Sequence, residues 1–484
     1  MEHSQKKLAQ NAAVYSFFTL LQRGLGFFLL PVYTTVLATE QLGIISTTTA
    51  VISFFVLLFG LSLRGSTAYY YYEYIKTDNA YLKRIFGTNT LFILIATVIG
   101  IGLVLLTKQW VLDRLLENIA FSPYIILALC SILLQPLYFF YQSLLKAQQK
   151  AKKAAGLDFI YFGLMIGLTL IFILGFKMKA EGALLANAIA SFVVFAKSFW
   201  GLKGQITFCL DKKILKKTLK YSLPVLPHNL AGWAMNLADR VMLNSMGSLS
   251  LVGIFDVGSQ LGKVVNIISL GVNSAYSPWF FDQVKNRSDR VDQIANVTNK
   301  IVLFYAFIAV AISWLSPEII SLIAKDAYNE SWTVVPLIAI AFVINGFYFT
   351  FSNVFFLDKT KYLPALSISG ALINLALNFW LIPIYGLMGA AIASIATKLL
   401  FTIITFLLSQ RLYYIPYNLL RIAITIGLAL ALACIPYWLQ DKLTSFNIFA
   451  VTLVKAIVLL LFAIPIVLIN LKQIKQIISQ RHEA

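Results

Sequence analysis

The chain reads as an all-α polytopic membrane protein with 14 transmembrane helices, arranged as two pseudo-symmetric six-helix lobes around a central cleft plus two extra C-terminal helices. Three observations predict this class. Across 484 residues, 59% are hydrophobic and only 12% charged, whereas soluble domains carry about 25% charged residues. Lys and Arg fall on alternate loops between the apolar runs. A block of six runs recurs along the chain.

Apolar runs near the roughly 20 residues that cross a hydrocarbon core lie at 13–37, 42–63, 86–107, 119–145, 157–177, 182–202, 222–246, 251–279, 299–323, 332–357, 363–383, 386–408, 419–439 and 447–470. With the N-terminus in the cytoplasm, the inside segments carry 27 basic residues, counting Lys300 and Arg421 at the mouths of their spans. The outside loops carry 6: Lys108, Arg114, Lys177, Lys179, Lys325 and Lys442. Cytoplasmic loops collect Lys and Arg, so this asymmetry predicts two cytoplasmic termini and an even number of spans in a cytoplasmic (inner) membrane. It also accounts for the net charge of +19 without nucleic acid. The basic N-terminal segment MEHSQKKLAQ precedes an apolar run too long for a signal-peptide core, and reads as a retained first span.

The repeat is weak residue by residue but steady in offset. Gln41-Leu42-Gly43-Ile44 answers Leu251-Val252-Gly253-Ile254 at an offset of 210, and Gln135-Pro136-Leu137-Tyr138 answers Asn345-Gly346-Phe347-Tyr348 at the same offset. Gly163, Gly182-Ala183 and Ala190 answer Gly370, Gly389-Ala390 and Thr397 at 207. Six is even, so both copies start on the same side and are related by an axis along the membrane normal. The expected division is an N-terminal lobe at 1–202, a basic linker at 203–221, a second lobe at 222–410 and two further helices with a tail at 411–484. Substrate sites of such transporters lie between the repeats. The Tyr-rich stretch 69–81 reads as an interfacial anchor, or as a gate at the inner mouth.

Ionised side chains in a bilayer cost at least a few kcal/mol and normally face a partner, water or a ligand. The embedded cations are Arg23, Lys197, Arg240, Lys263, Lys398 and Lys455; the embedded acids are Asp239 and Asp256. Arg23 and Lys263 each lie roughly 15–18 Å deep, and Lys398 is similarly deep. Lys197 and Lys455 read as structural. Arg240 divides between an ion pair with Asp239 or Asp256, joining spans 7 and 8, and a ligand role. Arg64, at the cytoplasmic end of span 2, completes the candidate substrate-binding set of Arg23, Lys263, Arg240, Lys398 and Arg64, with Asp239 and Asp256 as structural or coupling candidates. A surplus of cations points to an anionic substrate, and arginine's planar fork suits phosphate. His3, His228 and His482 are scattered and the three cysteines have no metal-like spacing, so no metal site or His-based triad is expected. No GxxxxGK[ST] loop is present, so neither an ATPase nor another enzyme activity nor a cofactor is expected.

The segment 221–243, YSLPVLPHNLAGWAMNLADRVML, followed by Gly253-Ile254-Phe255, resembles the signature of polysaccharide (O-antigen-type) flippases of the multidrug/oligosaccharidyl-lipid/polysaccharide exporter superfamily. So do 370–393, GALINLALNFWLIPIYGLMGAAIA, and the opening Arg23-Gly24, Leu30-Pro31 and Gly43. The resemblance covers essentially the whole chain. It implies transport of polyprenyl-pyrophosphate-linked oligosaccharide from the cytoplasmic to the outer leaflet by alternating access, with the cations meeting pyrophosphate and acidic sugars. It also implies membrane lipid as surroundings, and a polysaccharide polymerase or glycosyltransferases as partners. Many such flippases have twelve spans; fourteen matches the related lipid II flippases, where the extra pair helps form a groove for the lipid tail. The alternatives are a lipid II-type precursor flippase or a cation-coupled drug exporter of the same superfamily. An exporter would carry acids in its N-terminal lobe, where the candidate is Asp158 at a helix end. A non-transporting scaffold for glycosyltransferases finds support only in the basic loops.

Overall fold

The computed structural model describes residues 25–116, 118–286, 291–357 and 360–438, together with 451, 453, 455, 457, 459 and 460. Its elements are α1 (Leu25–Val36), α2 (Thr39–Phe59), α3 (Leu63–Tyr74), α4 (Asn79–Leu106), α5 (Lys108–Leu115), α6 (Ile126–Ala147), α7 (Ala151–Leu170), α8 (Ala180–Leu202), α9 (Lys212–Ser222), α10 (Leu226–Met246), α11 (Leu249–Gly262), α12 (Val264–Asn286), α13 (Val291–Ile323), α14 (Val335–Ser352), α15 (Tyr362–Leu412) and α16 (Leu419–Ala433). No strand occurs among the described residues. This is what lipid demands, since a helix satisfies its own backbone where no water can.

Ten helical stretches among the described residues are long and apolar enough to cross a membrane. One of them, Tyr362–Leu412, holds two expected spans and turns back at Gly386, whose φ of +52° lies in the left-handed region that only glycine enters cheaply. The expected span 251–279 lies within one stretch, Leu249–Val284, in which α11 and α12 meet at Lys263 and the helical hydrogen bonds to Ser259 and from Ile267 continue through it. The spans at 13–37 and 447–470 lie partly outside the described residues.

By packing, the chain forms two units: Met1–Asp256 with Lys361–Ala393, and Val257–Thr360 with Ser394–Ala484. These units follow contacts, whereas the lobes at 1–202 and 222–410 follow the sequence repeat. In the first unit α6 is the hub, touching α2, α3, α4, α7 and α8, while α10 packs along α2. Its interior is aromatic and aliphatic, with Tyr138, Phe140, Leu63, Leu82 and Leu144 almost wholly buried. In the second unit α14 is central, in contact with α12, α13 and α16.

The repeat has a counterpart in the packing of the first unit. A Cβ on Gly43 of α2 would stand 1.9 Å from the carbonyl oxygen of Leu249, at the start of α11. A Cβ on Gly253 of α11 would stand 2.0 Å from the carbonyl oxygen of Thr39, at the start of α2. Each repeat-related glycine thus receives the other helix's first residue, and the Thr39 and Ser250 hydroxyls are hydrogen-bonded at 2.8 Å. Small residues let membrane helices approach this closely. Gly253→Leu should separate the two helix starts: a lowered melting temperature and loss of folded protein in detergent are expected, whereas Gly163→Leu, with open space around it, should change little.

Candidate functional site

The motif stretch 221–243 forms α10, whose polar residues are spent on neighbouring helices. Trp233 Nε1 donates to the Ala50 carbonyl at 2.9 Å and to Ser53 Oγ at 3.1 Å, both on α2. Asn229 Nδ2 donates to Ser62 Oγ at 2.9 Å. Arg240, 2% exposed, lies between two carboxylates. Its Nη1 donates to Asp239 Oδ1 at 2.7 Å and to the Asn236 carbonyl at 3.1 Å. Its Nε and Nη2 donate to Asp256 Oδ1 on α11 at 3.2 and 2.9 Å. The guanidinium also stands 5.6 Å from the Phe255 ring centroid. The expected ion pair between spans 7 and 8 is therefore a triad, with Asp239 and Asp256 sharing one arginine. A buried cation so enclosed has little of its fork left for a ligand.

The other candidate cations are dispersed. Arg23 lies outside the described residues. Lys263 sits half-buried where α11 meets α12. Lys398 is 8% exposed, with its ammonium 4.8 Å from the Phe342 ring centroid in the second unit. Arg64 is exposed in the first turn of α3 and lines a small cavity with Ser62, Gly60, Pro136 and Phe139. No carboxylate among the described residues is within ion-pairing distance of Arg64. Just before it the chain breaks between α2 and α3 with two non-glycine residues in the left-handed region, Leu61 at φ +46° and Ser62 at φ +53°. Broken membrane helices are tolerated where they line a cavity, and such backbone strain clusters at ligand sites.

Two buried acids were not read from the sequence as embedded charges. Glu318, on α13, forms a 2.6 Å pair with Lys455. Lys455 Nζ also donates to the Trp314 carbonyl at 3.1 Å, in keeping with its expected structural role. The signal for Glu318 was present, an acid five residues from the end of an apolar run. Asp158, expected at a helix end, is buried within α7, where Tyr138 Oη and Gln142 Nε2 donate to its Oδ1 at 2.5 and 2.6 Å. A separate network joins Gln135, Asn187, Ser191 and Tyr161 at 2.9–3.3 Å.

The linker is fastened rather than loose. Asp211 caps α9 through the backbone N–H groups of Lys213 and Ile214, at 2.8 and 3.2 Å, and meets Arg84 at 2.8 Å. The Ile214 N–H foremost, with Lys213 and Arg84, holds the Asp211 carboxyl below its ordinary range. The cap is therefore complete at neutral pH and is lost as pH falls through that lowered value. Lys217 enters the Tyr-rich stretch, 4.7 Å from the Tyr74 ring centroid and 5.3 Å from that of Tyr70, with Glu73 at 3.6 Å. Its hydrogen bond to the Tyr74 hydroxyl is the main cause of its raised pKa.

In the second unit an apolar cavity of about 200 Å³ opens between α13 and α16, lined by Leu303, Phe307, Trp314, Leu428 and Leu432 among others.

The family model described as "Polysaccharide biosynthesis protein" matches residues 8–284, more than half of the chain. The chain belongs to this family. A second model, MatE, matches residues 224–380. A curated relative, "Lsg locus putative protein 1" of Haemophilus influenzae, is 25% identical over 324 residues, covering 64% of this chain and 75% of its own. Among solved structures, "Lipid II flippase MurJ, inward closed conformation" aligns with a TM-score of 0.75 at 14% identity over 93% of this chain and 98% of its own. An inward-facing multidrug resistance MATE transporter aligns with a TM-score of 0.60 at 17% identity over 83% and 95%. The fold is thus the one that these flippase and exporter structures share. In this polysaccharide biosynthesis protein the Asp239–Arg240 pair lies inside both matched ranges, and its geometry is that of a helix-to-helix tie. Asp256→Ala leaves Arg240 short of half its acceptors; breaking one arm of a buried pair costs about 3–5 kcal/mol, so the expected outcome is loss of folded protein in the membrane fraction. Normal protein levels with abolished transport would assign the triad to the substrate instead.

Proposed function

We propose that this chain is a flippase that moves polyprenyl-pyrophosphate-linked oligosaccharide units from the cytoplasmic to the outer leaflet by alternating access, for assembly of a cell-surface polysaccharide. Family membership carries the reading, since it couples polysaccharide biosynthesis to a transporter fold. The side chains support it. Arg64 and Arg23 of the first unit and Lys263 of the second are each, taken separately, candidate cations for the pyrophosphate, with Lys398 and Arg240 serving helix packing. Arg64 is the strongest of these, an exposed residue beside a broken helix, with no carboxylate among the described residues within ion-pairing distance. The apolar cavity on α13 and α16 suits a segment of prenyl chain, which gains by leaving neither water nor polar protein around it. With both termini in the cytoplasm, an inside-negative potential favours outward movement of the anionic headgroup by about 2.3 kcal/mol per charge per 100 mV. Polysaccharide polymerase and glycosyltransferases are the proposed partners, and the inner membrane the proposed location.

One observation favours a second reading, a cation-coupled exporter of the same fold: the buried Asp158 carboxylate with its Tyr138 and Gln142 donors. One experiment separates the two. In cells depleted of the native protein, Arg64→Ala should cut delivery of lipid-linked glycan to the outer leaflet at least about tenfold at unchanged protein level. Arg64→Lys should retain part of it, because an ammonium keeps the charge but not the two-pronged grip. Asp158→Asn should leave it near the wild-type level. Normal glycan delivery by both variants, with loss of cation-driven drug efflux in Asp158→Asn, would favour the exporter.

A further inference from the structure

We infer that a polar seam in the second unit, formed by Asn266, Asn273 and Ser277 of α12 with Asn345 of α14 and Asn353 in the turn that follows it, binds the sugar hydroxyls of the glycan headgroup. The inference rests on the lipid-linked reading above and adds to it the place where sugars are held.

Asn266 and Asn273 are seven residues apart, and Asn345 and Asn353 eight, so each pair falls two turns along one helix face. The two faces meet. Asn345 Nδ2 lies 3.5 Å from Asn266 Oδ1, Asn353 Nδ2 lies 3.3 Å from Asn273 Oδ1, and Ser277 Oγ donates to Asn353 Oδ1 at 3.0 Å. Amide pairs between membrane helices often serve only as glue. This seam differs from glue in two respects visible within the same molecule. The Gln135–Asn187–Ser191 network is buried, with Gln135 and Asn187 each 7% exposed and a shared hydroxyl at 3.0 Å. In the seam, Asn266, Asn273, Asn345 and Ser277 are only half-buried, and the amide-to-amide contacts are longer than the usual range of about 2.7–3.2 Å.

Each amide offers two N–H groups and an acceptor oxygen. Asn353 is buried and makes two seam contacts, whereas Asn266, Asn273 and Asn345 make one apiece, so most of their capacity is open to a ligand. A ligand that fills it must bring donors and acceptors in equal measure and carry no charge there, which describes hydroxyl-rich sugar rings rather than a cation or a drug-like apolar molecule. From Asn266 to Ser277 the seam runs for roughly 16 Å at about 1.5 Å per residue, which suits a short oligosaccharide. At its upstream end Lys263 precedes Asn266 by one turn, and Tyr348 follows Asn345 by one turn with its ring 4.7 Å from that of Phe401. A cation at one end of an uncharged polar track matches the order of a headgroup in which phosphate adjoins the first sugar.

The test uses the full-length protein in lipid nanodiscs and four probes: undecaprenyl pyrophosphate, and the same carrier bearing one, two or three N-acetylglucosamine residues. Wild-type affinity should rise with each sugar. Asn266→Ala with Asn273→Ala should lose about tenfold in affinity for the three-sugar lipid, the combined effect of a few hydrogen bonds, and leave the bare carrier unchanged. Lys263→Ala should weaken all four alike. If the double alanine variant does not fold, Asn266→Ser with Asn273→Ser is read in the same way. Gln135→Ala should lower the melting temperature and keep the preference for sugars. A double variant with wild-type affinities for all four lipids, or one that melts earlier with its sugar preference intact, makes the seam helix glue and overturns the proposal. Wild-type protein that binds bare and glycosylated carriers equally overturns the seam alone. Wild-type protein that binds none of them overturns the lipid-linked reading and this proposal together.

Discussion

An ion or amide that leaves water for hydrocarbon must find its partner inside the protein, because the lipid offers none. That constraint sorts the polar side chains of this chain into two kinds. Arg240 between Asp239 and Asp256, and Lys455 against Glu318, are pairs whose members satisfy each other and tie one helix to the next. Arg64 at its helix break and the half-buried asparagines of α12 and α14 are the other kind, polar groups kept at a surface with capacity to spare. The first kind maintains the helices in register; the second is where a polar cargo has something to gain.

The same division explains why charge alone was a poor guide to the site. The Asp239–Arg240 pair stands out in the sequence because it interrupts an apolar run, and its neighbour Trp233 stands out as a motif residue. Both turn inward, Trp233 to the Ala50 carbonyl and Arg240 to Asp256. A motif recognisable by its residues can belong to the scaffold of a transporter as readily as to its cargo site. The Tyr-rich stretch behaves similarly. Tyr70 and Tyr74 close around Lys217, so the tyrosines that read as an interfacial anchor also hold the basic linker helix against the first unit.

Much of the fold was legible. Apolar runs of membrane length gave the helices, since that signal is summed over many residues. The Arg240–Asp256 contact was legible too, as one of a few acids available to a buried cation. What escaped reading depended on single residues or on distant register. Glu318 was diluted by the run of Ile, Leu and Ala around it. Asp158 looked terminal because the helix that carries it begins at Ala151, before the apolar run does. The asparagine seam could not be seen at all, because uncharged amides do not interrupt an apolar run and their meeting requires α12 and α14 to be brought together across some 80 residues.

The reciprocal contact of Gly43 with Leu249 and Gly253 with Thr39 has a consequence for descent. Two copies of one segment that touch through the same patch on each form an isologous interface, the geometry of a two-fold dimer. Within one chain it makes the spacing of the two helix starts a single quantity: each backbone sets the space available to the other, so the ancestry of either helix is constrained by its partner at this patch.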